Sequence, residues 1–412
     1  MVTTLDDIGW ILNLRGSDVD CNPVFIGYLV IGLEKTWLFI NPTQMNDVLK
    51  NRLNHDNIFI KNYTTLLDFL QTISPKETLL IDAANANFSV FYALKNVKIE
   101  EETTFSSLMK AIKDETEQHF IREVMVKDGV ALVKAFRWLE KNLRERPVSE
   151  YEFASMIAQY RSDQPHYYGE SFPAIVGYNA NGAIIHYQPT FEDSALIHTE
   201  GVLLVDSGGQ YADGTTDITR TIALSEPSAE VKKHYTLVLK GHIALARAQF
   251  PKGTRGIQLD TLARQFLWQE GLNYGHGTGH GVGYFMNVHE PPQGFTAGLN
   301  ARGKTEQEIG MLSSNEPGFY MEGAYGIRIE NLILTIEAPN LTQKGANTEG
   351  GHFLAFETVS LFPIDTQLID KQLLTPAETD WFNRYHDCVF DKLSPQLDAA
   401  EKEWLKEKCT SI

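Results

Sequence analysis

The chain has 412 residues, and 53 acidic against 36 basic side chains leave it a formal charge of −17. That length exceeds one ordinary domain and suffices for two with substantial cores. The acidic balance, with no basic cluster to offset it, argues against a nucleic-acid partner. No run of about 20 apolar residues is present, so no membrane span is expected.

In chain order, the start MVTTLDDIGWILNLRGSD lacks a basic region and a long apolar run, and it is not read as a signal peptide. Residues 1–113 mix strand-like runs (PVFIGYLVIGL, TWLFIN, ETLLIDAAN) with helix-like ones (QMNDVLKNRL, TLLDFLQTI), which predicts a compact α/β domain. Asp114 with Glu117 three residues on forms a capping box. It opens a helix with an apolar stripe at Ile121, Met125, Leu132, Phe136 and Leu139, ending before Pro147. The domain boundary is placed there, giving 1–113 and 114–412. The second domain alternates helices (SEYEFASMIAQYR, AEVKKHYTLVLKGHIALARAQF, QLDTLARQFLWQEG) with hairpins, a pattern of the α+β class. The stretch from Pro376 to Ile412 reads as polar helix that packs on the domain edge or serves an oligomer contact. Cys21, Cys388 and Cys409 make no CxxC motif, and so sparse a count suits a reducing, cytoplasmic setting.

Five residues in the second domain stand out: Asp206, Asp217, His280, Glu316 and Glu330. Each lies in a Gly-rich or strand-like segment that otherwise looks buried, and an uncompensated buried charge is costly. Asp206 and Asp217 bracket the turn signal Tyr211-Ala212-Asp213-Gly214, so a hairpin there brings them opposite each other within a residue or two. Glu316 and Glu330 bracket a hairpin centred on Gly323 and are expected to face each other. Directly opposed residues on antiparallel strands lie about 4.5–5.5 Å apart, where like charges need a cation between them. A carboxylate-rich set with one His suits two divalent ions of the hard or borderline kind; Mn²⁺, Co²⁺ and Zn²⁺ all qualify. Gly277, Gly279, Gly281 and Gly283 beside His280 are expected to permit close backbone approach and positive φ. A phosphate cradle is not read there, because no GxxxxGK[ST] or GxGxxG pattern occurs. His289-Glu290 does not make a HExxH zinc site: Gln293 replaces the second His, and Pro291 and Pro292 oppose a helix.

The segments DSGGQYADGTTDITRT, HGTGHGVGYFMNVHE, NEPGFY and GIRIEN resemble the M24 metallopeptidases of the pita-bread fold, and most closely the Xaa-Pro aminopeptidase branch. NANGAIIHYQP, FETVSLFPIDTQLID and LRGSDVDCNPVF are similar to that branch too, so the resemblance covers nearly the whole chain. It implies a pita-bread catalytic domain, itself an internal duplication, behind a smaller creatinase N-terminal-like α/β domain. It implies metal ligands at Asp206, Asp217, His280, Glu316 and Glu330, the residues that spacing had selected. His186, His289 and Glu316 become the catalytic candidates. His276, Tyr320 and Arg328 are placed around the proline ring, with Arg328 two residues before Glu330 and expected to orient it. The expected reaction is removal of the N-terminal residue from peptides with proline second, with Mn²⁺ the first choice of ion and Co²⁺ or Zn²⁺ the alternatives. Three-domain relatives carry a further α/β domain ahead of the segment resembling residues 1–113, and it is absent from this sequence. That absence bears on the homodimer which the resemblance suggests. The alternatives are a prolidase confined to dipeptides, an inactive pita-bread binding protein, and a metal-free creatinase-like hydrolase. The last two fit poorly, since all five ligand positions are kept.

Overall fold

The computed structural model describes residues 1–342 and 352–412. They form two compact units, Met1–Lys110 and Ala111–Ile412. The division falls ahead of the 113/114 boundary read from the sequence. The reason is local: Ile112 bridges to Met311, and the Lys113 N–H donates to the Gly310 carbonyl, tying 111–113 to the larger unit.

In the smaller unit, strand Thr36–Ile40 pairs antiparallel with Tyr28–Ile31 and parallel with Ile58–Asn62. Alternation along these strands separates two apolar clusters. Leu29, Leu38 and Ile40 join Ile8 and Leu12 in one, while Val30 and Phe39 join Leu66, Leu70 and Ile81 in the other. A second parallel pair, Thr78–Ile81 with Lys98–Glu101, completes an α/β arrangement.

The larger unit begins with the helix Glu115–Leu143. Its capping box forms as the sequence predicts: Asp114 Oδ1 accepts from the Glu117 N–H at 2.8 Å and Glu117 Oε2 accepts from the Asp114 N–H at 2.9 Å. Ile121, Met125, Leu132, Phe136 and Leu139 are all buried. They pack in one cluster with Phe153 and Ile157 of the helix Glu150–Ser162 and with Leu203 and Val205 of the strand Val202–Ser207. Fully burying one such side chain contributes about 1.5–3 kcal/mol. Because Leu203 and Val205 face this core, Asp206 projects from the opposite face of the strand.

Val202–Ser207 is the centre of a three-stranded antiparallel sheet, flanked by Ile175–Tyr178 and Ile218–Ala223. A six-stranded sheet runs in the order Gln249–Pro251, His352–Thr358, Asn331–Thr342, Leu312–Asn315, Gly279–Gly281, Glu290–Phe295. The helices Ala229–Ala246 and Gly256–Gln269 pack on each other and on strands of this sheet. The C-terminal stretch supplies two more helices, Pro376–Leu393 and Ala399–Lys408. Among the described residues, no helix is long and apolar enough to cross a membrane.

Candidate metal centre and substrate pocket

The two acidic pairs occupy different registers. Strand Val202–Ser207 pairs with Ile218–Ala223 so that Asp206 is opposite Thr219, and Asp217 therefore sits two residues beyond Asp206's partner. Because the side-chain period is two, both acids still share one face. Glu316 lies between two paired segments that keep a single register: Asn315 opposes Asn331 and Gly318 opposes Arg328. That register sets Glu316 opposite Glu330, as the hairpin centred on Gly323 requires.

His280 joins them from the strand Gly279–Gly281, its N–H held by Ser314 Oγ at 3.0 Å. Its Nδ1 donates to the Gly281 carbonyl at 2.9 Å, which leaves Nε2 as the lone-pair nitrogen. Nε2 lies 3.5 Å from Asp217 Oδ2 and 3.6 Å from Glu316 Oε1. Ligand atoms of Asp217, His280 and Glu330 all fall within 4.8 Å of one another. The glycines here act through space rather than through unusual dihedrals. A Cβ on Gly279 would lie 2.0 Å from the Ser314 carbonyl oxygen. None of Gly277, Gly279, Gly281 and Gly283 has positive φ, contrary to the expectation from sequence.

Arg328 departs from expectation. It does not pair with Glu330; its Nη2 donates to Asp206 Oδ2 at 2.7 Å. The chain leaves the strand Tyr325–Arg328 before Glu330 and re-enters one at Asn331, so simple alternation no longer holds between the two residues. Glu330 is oriented instead by Thr219, whose hydroxyl donates to Oε2 at 2.7 Å and accepts from Arg328 Nε at 3.3 Å. Arg328 Nη1 donates to the Tyr320 hydroxyl at 2.6 Å, and that hydroxyl meets His276 Nε2 at 2.8 Å. His276 Nδ1 donates to the Gly277 carbonyl, so Nε2 accepts from Tyr320. The structure thus joins His276, Tyr320 and Arg328 in one chain.

All five ligand candidates line one cavity of about 590 Å³, together with His186, His276, His289 and Arg328. Phe172, Pro173, Ile175 and Ile185 supply apolar wall. Tyr320 is not among the lining residues; its hydroxyl bonds to His276 and Arg328, which are. The rings of His280 and His289 meet edge to face at 4.1 Å.

Burial dominates the electrostatics. It pushes the Glu316 carboxyl up to about 8, with Arg328 opposing and Asp206 reinforcing the rise. Burial, then Glu330, Asp206 and Glu316, raises Asp217 far above the carboxylate range, and burial, then Asp206 and Glu316, does the same to Glu330. Burial, with the Arg328 charge second to it, holds His276 down to about 3 and keeps its ring neutral; burial likewise lowers His280 and His289. Three acids that resist ionising together form a site that calls for added positive charge. Asp206 Oδ1 is buried without a hydrogen-bond partner. Four carboxylates, Asp206 with its orphaned oxygen among them, and one imidazole lone pair fit a pair of divalent cations.

Several supporting residues escaped the sequence reading. Thr219 could have been found, since it lies two residues beyond Asp217 on the same face. Asp260 and Arg264 had no such signal. On the helix Gly256–Gln269, Asp260 accepts from Thr278 Oγ1 at 2.6 Å, and Arg264 donates to the Tyr274 and His276 carbonyls at 2.8 and 2.7 Å. Thr278 in turn accepts the Glu316 N–H at its carbonyl at 2.8 Å. Glu290, next to His289, forms a buried ion pair with Lys113.

Comparison with known proteins places this geometry. Residues 119–337 match the metallopeptidase family M24, residues 1–117 the creatinase/prolidase N-terminal domain, and residues 352–412 the C-terminal region of peptidase M24. A probable Xaa-Pro aminopeptidase P of Coprinopsis cinerea is 42% identical over 100% of this chain and 68% of its own length. That of Laccaria bicolor is 40% identical over 100% of this chain and 64% of its own. The chain thus spans about two thirds of the length of these relatives. The X-prolyl aminopeptidase of Caenorhabditis elegans, described as a cytosolic enzyme with a di-nuclear active site, superposes with a TM-score of 0.91 at 35% identity, covering 99% of this chain and 67% of that one. The Xaa-Pro dipeptidase of Bacillus anthracis shares the fold at a TM-score of 0.64 and 23% identity, over 87% of this chain and 91% of its own. A creatinase-type N-terminal domain followed by a pita-bread catalytic domain is therefore the architecture here, and the chain belongs to metallopeptidase family M24, in its Xaa-Pro aminopeptidase branch.

Proposed function

We propose that this chain removes the N-terminal residue from peptides whose second residue is proline, using a centre of two divalent ions held by Asp206, Asp217, His280, Glu316 and Glu330. The observation that carries this reading is the single cavity lined by those five residues together with His276 and Arg328, which the Tyr320 hydroxyl links from outside its lining. Mn²⁺ is the ion we assign, on the oxygen-rich donor set, with peptides bearing N-terminal Xaa-Pro as substrates and the cytoplasm as the setting.

When bound, two divalent ions would supply Lewis acidity for the scissile carbonyl and for the attacking water. Glu316 takes the proton from that water and returns it to the leaving proline nitrogen. His186 and His289 donate hydrogen bonds to the carbonyl oxygen as charge develops on it. Asp206, steadied by Arg328, receives the substrate's free amino group near its unpartnered oxygen, which confines attack to the N-terminal bond. Both nitrogens of His276 are engaged within the protein, so its ring offers a wall rather than a hydrogen bond. An Xaa-Pro bond has no N–H, and a wall without an acceptor suits it.

A panel of Ala-Pro-Ala, Ala-Ala-Ala and Ala-Pro, with Mn²⁺, Co²⁺ and Zn²⁺ supplied in turn, tests the reading. Ala-Pro-Ala should be cleaved fastest. Equal cleavage of Ala-Ala-Ala would sink the proline specificity, and cleavage of Ala-Pro alone would move the assignment to prolidase.

A further inference from the structure

His186 is carried by the least regular part of the larger unit. Between the strands Ile175–Tyr178 and Leu196–Ile197 the chain makes one 3-10 turn, Asn179–Ala183, and otherwise no regular element. A residue that must donate to a developing oxyanion needs a fixed position, and this excursion has no ladder of its own to fix it. The fixing group comes from outside. Glu150, the first residue of the helix Glu150–Ser162, is fully buried. Its Oε1 accepts from the Tyr178 N–H at 2.7 Å and from Asn181 Nδ2 at 3.0 Å. Its Oε2 accepts from the Tyr187 hydroxyl at 2.7 Å, from the Ala195 N–H at 2.8 Å and from Asn181 Nδ2 at 3.2 Å. Those donors sit at the beginning, the turn, the position after His186, and the end of the excursion. Asn181 also donates to the Tyr187 hydroxyl at 3.0 Å, closing the network.

A buried carboxylate is expensive unless hydrogen bonds replace its hydration. Here every replacement comes from the segment that carries His186, and the N-terminal end of the helix favours the charge. Removing the carboxylate therefore frees donors along the whole excursion at once. The opposite face of the loop is set by close packing: a Cβ on Gly182 would lie 3.0 Å from the Gly177 carbonyl oxygen and 3.2 Å from the Gly326 nitrogen. The Ile185 carbonyl meets Arg328 Nη2 at 3.5 Å.

We propose that Glu150 is a positioning residue for catalysis, acting through His186 by clamping the loop 178–195 at four points. The inference rests on the role given to His186 above. It is tested with Glu150→Gln and Tyr187→Phe, each made alone and in a His186→Ala background, on Ala-Pro-Ala with saturating Mn²⁺. Glu150→Gln should lower kcat by about 10- to 100-fold, the scale of a displaced catalytic group, with KM nearly unchanged. Bound metal should stay at the wild-type amount, because no ligand is touched. Amide exchange should quicken in 178–195 and not in the strands around Asp206 and Glu316. In the His186→Ala background the same change should cost less than about twofold, the non-additivity of residues acting as one unit. Tyr187→Phe, which keeps the carboxylate and its other partners, should repeat the pattern more weakly and decides the matter if Glu150→Gln does not fold. Equal losses in both backgrounds, or wild-type kcat in Glu150→Gln, would overturn the proposal. Wild-type kcat in His186→Ala would instead show the role of His186 to be wrong.

Discussion

Replacing Arg220 with methionine probes how the fold holds its metal-binding strands. Arg220 is only 2% exposed, and its described partners are all neutral oxygens. Nε donates to the Pro363 carbonyl at 2.9 Å, and Nη1 to the Thr219 and Glu330 carbonyls at 2.8 and 2.6 Å. Nη2 donates to Asn331 Oδ1, the Phe362 carbonyl and the Tyr385 hydroxyl. In Arg220→Met, the Thr219 carbonyl keeps the Glu330 N–H, and Phe362 and Asn331 keep the Tyr385 hydroxyl. The Pro363 and Glu330 carbonyls lose the donor described for them. Each orphaned buried acceptor costs about 1–3 kcal/mol, so a loss of about 4 kcal/mol is expected. At roughly 2 °C per kcal/mol for a unit of this size, Tm should fall by about 8 °C. Urea unfolding with chelator present measures the stability, and calorimetric titration with Mn²⁺ measures affinity and stoichiometry. Affinity should weaken as well, because the Glu330 backbone has lost its tether. A stability loss below about 1 kcal/mol would refute the hydrogen-bond accounting. Full loss of stability with wild-type metal affinity would refute the link to Glu330.

Three other outcomes are expected. Asp217→Asn should abolish one equivalent of bound metal and shrink the metal-induced rise in Tm, which for ligand at about 1,000-fold over Kd corresponds to about 4 kcal/mol; two bound ions and a normal rise would count against ligation by Asp217. Gly326→Ala should cost about 3 kcal/mol or displace the loop carrying His186, since its Cβ would fall 1.7 Å from the Gly182 carbonyl oxygen with only backbone around it; a crystal structure with that loop unmoved and full stability would contradict it. Burial, with Arg220 second, draws His386 down to about 4, so its neutral form supports folding fully above about pH 6.5 and that support, about 3 kcal/mol, is lost as pH falls towards 4. Stability measured against pH should slope less steeply there in His386→Gln, and parallel curves would dismiss the effect.

Local rules account for what was legible. The capping box at Asp114 and Glu117 depends on residues three apart, and the buried stripe from Ile121 to Leu139 follows helical period. Glu316 and Glu330 face each other because a hairpin's register is set by its own turn, and the turn centred on Gly323 lies between them. The grouping of four acids and one His in apolar segments needed only the cost of buried charge. What joins separate segments was not legible. Arg328 pairs with Asp206, 122 residues away, because the strand breaks before Glu330 and another sheet brings Asp206 alongside. Asp217 lies two residues past Asp206's partner because the pairing register of the whole sheet, not the turn residues alone, sets that offset. Glu150 clamps a loop as far as Ala195, 45 residues on, and Lys113 reaches Glu290 across 177. No period or cap encodes such pairs. A buried polar group takes whichever partner the packed strands and helices deliver within hydrogen-bond reach, and that delivery exists only in the tertiary structure.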